Sequence, residues 1–119
     1  MSRYITIDFE TYPINGKSCI MEIGCCEVID GIITNTWQTL VQPICLVSEF
    51  VLNLTGLTQA ELDQAPEFLD IIESLNTFVG DSIIIAHNAN LDRASFEFQC
   101  QQYNIESKFD LWLDSQDII

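Results

Sequence analysis

The chain has 119 residues, enough for one domain and not comfortably two. It is 48% hydrophobic, and no apolar run approaches the ~18–20 residues of a membrane span, so disorder and a transmembrane chain are both excluded. Eighteen acidic residues stand against four basic ones, a formal net charge of −14. That charge excludes nonspecific electrostatic binding of a polyanion, but not an approach to phosphate through cations held by carboxylates. Cys19, Cys25, Cys26, Cys45 and Cys100 form an odd set with no CxxC pair. With no apolar signal region at the N-terminus, they read as reduced core thiols of a cytoplasmic protein.

In chain order, Tyr4 to Glu10 alternates Ile5, Ile7 and Phe9 with Thr6, Asp8 and Glu10, the period of a strand. Cys19 to Ile29 is a second apolar run. Asp30-Gly31 after it predicts a two-residue hairpin turn, and Ile32 to Val41 the returning strand, ended by Pro43. Ser48 to Leu54 predicts a short helix ending before Gly56. Thr58 and Glu61 form a capping box for another, and Pro66 suits the first turn of a third. Phe68, Leu69, Ile71, Ile72, Leu75, Phe78 and Val79 fall at helical spacing, with Gly80 as the stop. Ser82 to Ala86 reads as a central strand covered on both sides, Asn90 as the cap of a helix from Leu91 to about Tyr103, and Leu111 to Leu113 as a last strand. Asp114 or Ser115 then caps a further helix, and the chain ends at Ile118-Ile119.

Three carboxylates could carry chemistry. Asp8 and Glu10, two apart on a strand, project to the same face. Side by side they repel unless a cation neutralises them, and hard oxygen ligands suit Mg²⁺ or Mn²⁺. Asp92 lies in the first turn of a helix, where a carboxylate also serves the helix dipole. It follows a central strand whose C-terminal end belongs to the functional edge of a sheet, so it could point at the first pair. His87 is the only histidine, and Asn88 beside it can bond across the turn. A Gly-rich phosphate loop and a basic patch are both lacking in the sequence.

Ile5-Thr-Ile-Asp8-Phe-Glu10-Thr11 resembles the first motif of the DEDD superfamily of 3′–5′ exonucleases, and Ala86-His87-Asn88-Ala89-Asn90-Leu91-Asp92 its second motif. The second is in the form found in relatives of the epsilon proofreading subunit of bacterial DNA polymerase III. Leu54-Thr55-Gly56-Leu57-Thr58 and Leu113-Asp114-Ser115 are similar to intervening and following segments.

The resemblance implies an α/β, ribonuclease H-like fold: a mixed sheet of about five strands with flanking helices. Asp8, Glu10 and Asp92 would be catalytic and hold two Mg²⁺ or Mn²⁺ ions, with Asp8 as the bridge. Phe9, Thr11, His87 and Asn88 would contact the terminal nucleotide of a single-stranded DNA or RNA 3′ end. Asp114 matches a structural position. A polymerase or other replication or repair protein is the implied partner.

Two departures qualify the match. Tyr12-Pro13 stands where many relatives have a small, flexible pair, so a different loop is expected there. The family's third motif, with its general-base histidine or tyrosine and a further metal-binding aspartate, has no counterpart after Asp92. Residues 1–119 therefore read as the N-terminal part of an exonuclease domain, C-terminally incomplete. A remnant that binds nucleic acid or a partner without cleaving is the alternative. Trp112, Leu113, Ile118, Ile119 and one sheet face are then expected to be bare and to favour self-association.

Overall fold

The computed structural model describes residues 2–14, 16–44 and 46–117. Cys45, Ile118 and Ile119 lie outside the described residues. β1 (Arg3–Ile14), β2 (Lys17–Ile29) and β3 (Ile32–Leu40) form an antiparallel meander. The turn between β2 and β3 is left-handed at both Asp30 (φ 50°) and Gly31 (φ 84°), which matches the twist of a hairpin. Helices α1 (Glu49–Thr55), α2 (Gln59–Asp63) and α3 (Phe68–Val79) lead to β4 (Ile83–Ala86), α4 (Ala89–Gln102), β5 (Trp112–Asp114) and a 3₁₀ turn over Ser115–Asp117. The sheet order is β3-β2-β1-β4-β5, with β4 and β5 parallel to β1, so the expected mixed five-stranded sheet is present. No helix among the described residues is long and apolar enough to cross a membrane.

The caps explain the helix boundaries. Ser48 Oγ accepts from Val51 N, and Gly56 (φ 79°) closes α1 in the left-handed conformation. Thr58 and Glu61 form the reciprocal capping box of α2. Pro66 falls two residues before α3 rather than in its first turn, because Glu67 and Asp70 build a capping box there.

Alternation assigns the sheet's two faces. Ile5, Ile7, Phe9, Ile23, Cys25 and Ile84 pack beneath α3 and α4 around Phe68, Leu75 and Phe96. The Phe96 ring lies 4.8 Å from that of Phe109, 5.9 Å from Phe68 and 6.3 Å from Phe9. The opposite face carries Thr6, Asp8 and Glu10 on β1, with Cys26 and Gly24 beside them on β2.

A bulge explains why β2 is apolar almost throughout. Glu10 pairs with Glu22 but Thr11 pairs with Ile20, so Met21 is an extra residue. Ile20 and Ile23 can therefore both enter the helix-side core, while Cys19 and Met21 join Tyr12 in a second cluster with Val47, Val51 and Leu62. The Ile20 amide donates to Oε1 of the fully buried Gln99 (3.3 Å). α1 and α2 thus cover the opposite face at its far end only. The rest of that face is open.

Several expectations are corrected here. Tyr12 and Pro13 are not in a loop, because β1 continues to Ile14, and the Tyr12 side chain is buried. β4 is central in the sheet but covered on one side: Ile84 is buried while Ile83 is 38% exposed. Leu113, on the open face, is 47% exposed, as expected. Trp112 is half-buried instead, because its register beside Ile84 turns it to the helix side, where Nε1 donates to Phe109 O (3.0 Å). Cys25, Cys26 and Cys100 are free thiols.

Candidate active site

Asp8 and Glu10 are exposed on the open face of β1. β4 pairs with β1 only from Tyr4 to Thr6, so the acidic stretch runs past the end of its neighbour. In that space β4 gives way to α4. Asn88 adopts a left-handed conformation (φ 75°), the sharp turn that starts α4 at Ala89, one residue before the expected cap Asn90. No side chain of the helix itself caps it. Asp114, at the end of β5, accepts from Ala89 N through Oδ2 (3.0 Å) and from Asn88 N through Oδ1 (3.3 Å). Oδ1 also accepts from Gln116 N (2.9 Å), so one carboxylate caps two helical starts. With its first turn fixed in this way, α4 holds Asp92 inward, only 9% exposed.

The electrostatics tie these acids together. Burial, then the charges of Asp8 and Asp114, push the Asp92 carboxyl up to about 6, against a smaller opposing pull from His87. Burial, then Asp8 and Glu22, raise Glu10. Asp8 is therefore the shared neighbour of Glu10 and Asp92. Among the described residues, no three His, Cys, Asp or Glu side chains stand close enough to cage an ion. The donor set, all hard oxygen, is nonetheless one that a divalent cation such as Mg²⁺ or Mn²⁺ fits.

The expected nucleotide contacts divide. His87 is exposed at the same sheet edge, its Nδ1 3.2 Å from Ser115 Oγ. Asn88 is exposed beside it. A trough of about 540 Å³ on the open face is lined by both Asp8 and His87. Phe9 turns the other way: its ring is buried against Phe96, which leaves its backbone for any ligand contact. Thr11, opposite Ile20 beyond the bulge, shares Phe9's side of the strand. Sequence reasoning gave Asp114 a cap of its own helix. It did not foresee the longer reach to α4 or the charge coupling to Asp92, and Leu113-Asp114-Ser115 was the only signal available.

The RNase_T family model, described as "Exonuclease", matches residues 5–116. The chain is 33% identical over 92 residues to DNA polymerase III PolC-type of Thermotoga petrophila, covering 76% of this chain and 7% of that protein. To the PolC-type polymerase of Bacillus subtilis it is 31% identical over 90 residues, 75% of this chain and 6% of the relative. The chain thus spans less than a tenth of these relatives. Among solved structures, the nuclease domain of 3′hExo, a DEDDh family member bound to rAMP, superimposes with a TM-score of 0.79 at 21% identity, over 91% of this chain and 63% of that one. E. coli exonuclease I in complex with a dT13 oligonucleotide gives a TM-score of 0.78 at 16% identity, over 99% of this chain and 29% of that one. The likeness to these solved structures shows a ribonuclease H-like fold, and the family model, which runs through both acidic motifs, shows that the chain belongs to the RNase_T exonuclease family.

Proposed function

We propose that the acidic end of this sheet binds two divalent ions, Mg²⁺ or Mn²⁺, and that the domain removes nucleotides from the 3′ end of a single-stranded DNA or RNA. The observation that carries this reading is the coupling of Asp8 to both Glu10 and Asp92 where β1 outruns β4. Bound ions would supply an activated water and charge stabilisation for the leaving oxygen of a phosphodiester. Asp8, Glu10 and Asp92 would hold them. Asp114 fixes the start of α4 and hence the direction of Asp92. His87 and Asn88, exposed at the rim, would touch the terminal nucleotide, with the backbones of Phe9 and Thr11 on the strand side.

The likeness to PolC-type polymerases supports a cytoplasmic setting and a replication or repair protein as partner. The bare apolar positions Ile83 and Leu113 support self-association through the open face, which sedimentation at high concentration reads directly.

A 5′-labelled single strand, as DNA and as RNA, tests the activity with Mn²⁺ and with Mg²⁺. Ladders shortening from the 3′ end are expected, lost in Asp8→Ala. Calorimetric titration with Mn²⁺ tests the site separately, and equal binding by the native chain and Asp8→Ala sinks it. The chain's only histidine is His87, held by Ser115, which favours a second reading. Metal and 3′-end binding without shortening would make this chain a binding module.

A further inference from the structure

We propose that the free edge of β3 is a docking site for an extended, basic peptide segment of a partner protein, which adds as a sixth strand and places a Lys or Arg side chain between β3 and α3. β3 is the outer strand of the sheet, nine residues long. Its sequence, Ile-Ile-Thr-Asn-Thr-Trp-Gln-Thr-Leu, has no charge and no Pro or Gly. Outer strands ordinarily carry such residues, or are short, to discourage further pairing. A bulge at Thr34 disturbs the first turn-proximal residues, so the regular stretch is Asn35 to Leu40. Among the described residues, no backbone bond outside the sheet's own ladder reaches this strand. The Thr36 amide, which points outward, is occupied by the neighbouring Asn35 Oδ1 (3.0 Å), and alternation turns Gln38 outward too.

The chemistry of the flanking surface selects the occupant. A trough of about 530 Å³ beside this edge is lined by Trp37 of β3 and by Asp70, Glu73, Ser74, Thr77 and Phe78 of α3. Trp37 is anchored there by its Nε1 donating to Ser74 Oγ (3.0 Å). Asp70 and Glu73 are exposed, and among the described residues neither has a salt-bridge partner. An aromatic ring beside two carboxylates that lack an ion-pair partner, Asp70 accepting only from the Glu67 amide, suits a guanidinium or ammonium group. Main-chain pairing would give the affinity and this trough the side-chain preference. A second copy pairing β3 to β3 would bring an uncharged strand with no Lys or Arg for this trough, which argues against it as the occupant.

The probe is a blocked nonapeptide, Thr-Val-Thr-Val-Arg-Val-Thr-Val-Thr, followed by amide NMR of the 119-residue chain. Shifts confined to Asn35–Leu40 and the exposed face of α3 are expected, with binding that weakens as salt rises. Replacing the central Arg by Glu should abolish binding, and N-methylating alternate peptide amides should do the same without touching the protein. Glu73→Gln together with Asp70→Asn should weaken it about tenfold, and Gln38→Pro should block it. Shifts at Asp8 or Asp92 instead of β3 would overturn the proposal, as would equal binding by the Glu peptide. Dimerisation of the chain through β3 that the peptide fails to displace would assign the edge to a second copy and overturn it as well.

Discussion

The two ends of β1 are built on opposite electrostatic principles. At its start, Arg3 is surrounded by acceptors: Nε reaches Glu27 Oε2 at 2.7 Å, the terminal nitrogens reach Val79 O (3.0 Å) and Phe78 O (2.8 Å), and Ser82 Oγ completes the set. One cation closes the C-terminus of α3, where carbonyls and the helix dipole favour it, and ties three elements together. Glu27 is correspondingly held below the usual carboxylate range, by Thr34 and then by Arg3. At the other end, burial and the charge of Asp8 push up both Glu10 and Asp92, with Glu22 adding to the first and Asp114 to the second. One end of β1 is held by pairing of a cation with its acceptors, and at the other the acids raise one another. The difference teaches where charge stabilises this sheet and where it works against it.

The largest effect should come from the acidic end, and in activity rather than stability. Asp8→Ala should remove Mn²⁺ binding and lower metal-dependent nuclease activity on the order of 10³-fold, the scale of losing several kcal/mol of charge stabilisation. Urea denaturation without metal should show no loss of stability, since a repelling charge has been removed.

The same kind of edit at the paired end should have the opposite sign. Arg3→Met keeps the apolar stem but takes the side-chain donor from Phe78 O and one of two donors from Val79 O, which keeps Ser82 N, and from Glu27, which keeps Thr34 Oγ1. A loss of about 3 kcal/mol in urea denaturation is expected. If Arg3→Met proves neutral, the contrast between the two ends fails.

How much of this was legible in the sequence depends on the range of each interaction. Strands β1 to β3, the Asp30-Gly31 turn and the capping box at Thr58 are local patterns: the turn and the box stand as read, while β1 runs on to Ile14 and β2 begins at Lys17. Asp8, Glu10 and Asp92 are recognisable by motif, and the fold does bring β1 and the start of α4 to one edge. What escaped is long-range. Arg3 looked like a scattered charge because its partners lie 24 to 79 residues away. The bulge at Met21 leaves no local mark, since Cys19, Ile20, Met21 and Ile23 are apolar whichever way each points. Trp112 and Leu113 were both expected to be bare, but their faces follow from register against β4, which spacing does not show. Alternation along β1 already sends Phe9 to the core with Ile5 and Ile7, and its ring is there; only the resemblance implies a substrate contact, which leaves its backbone.

The next prediction concerns pH. Asp92 has a folded pKa of about 6, above its ordinary value, so the folded state binds more protons than the unfolded state between roughly pH 4 and 6. Metal-free stability should therefore fall as pH rises through that window and then level off. Asp92→Asn should remove most of this slope, Glu10 carrying the remainder, and leave the chain about 3 kcal/mol more stable at pH 7 but nearly unchanged near pH 4. Saturating Mn²⁺ should flatten the native profile without mutation, because a bound cation favours the ionised carboxylate. A native profile that is flat without metal would mean that the acids at this end do not repel as the structure implies.

The smallest effect should be that of Asp114→Asn, and it separates two roles of one carboxylate. Asp114 lies below its ordinary pKa, held there chiefly by the Gln116 amide and also by those of Ala89 and Asn88, with His87 adding a little. Its contribution is therefore present at neutral pH and is lost as pH falls through the acid range, opposite in sense to Asp92. The amide variant keeps the shape but weakens the cap, so the melting temperature at pH 7 should drop slightly and the acid limb of the stability profile should become shallower. The same substitution also removes one of the charges that raise Asp92. The Asp92 carboxyl resonance should then titrate at lower pH even though α4 has become less stable. A cap alone predicts the first change without the second; a cap that is also part of the acidic cluster predicts both, and the carboxyl titration distinguishes them.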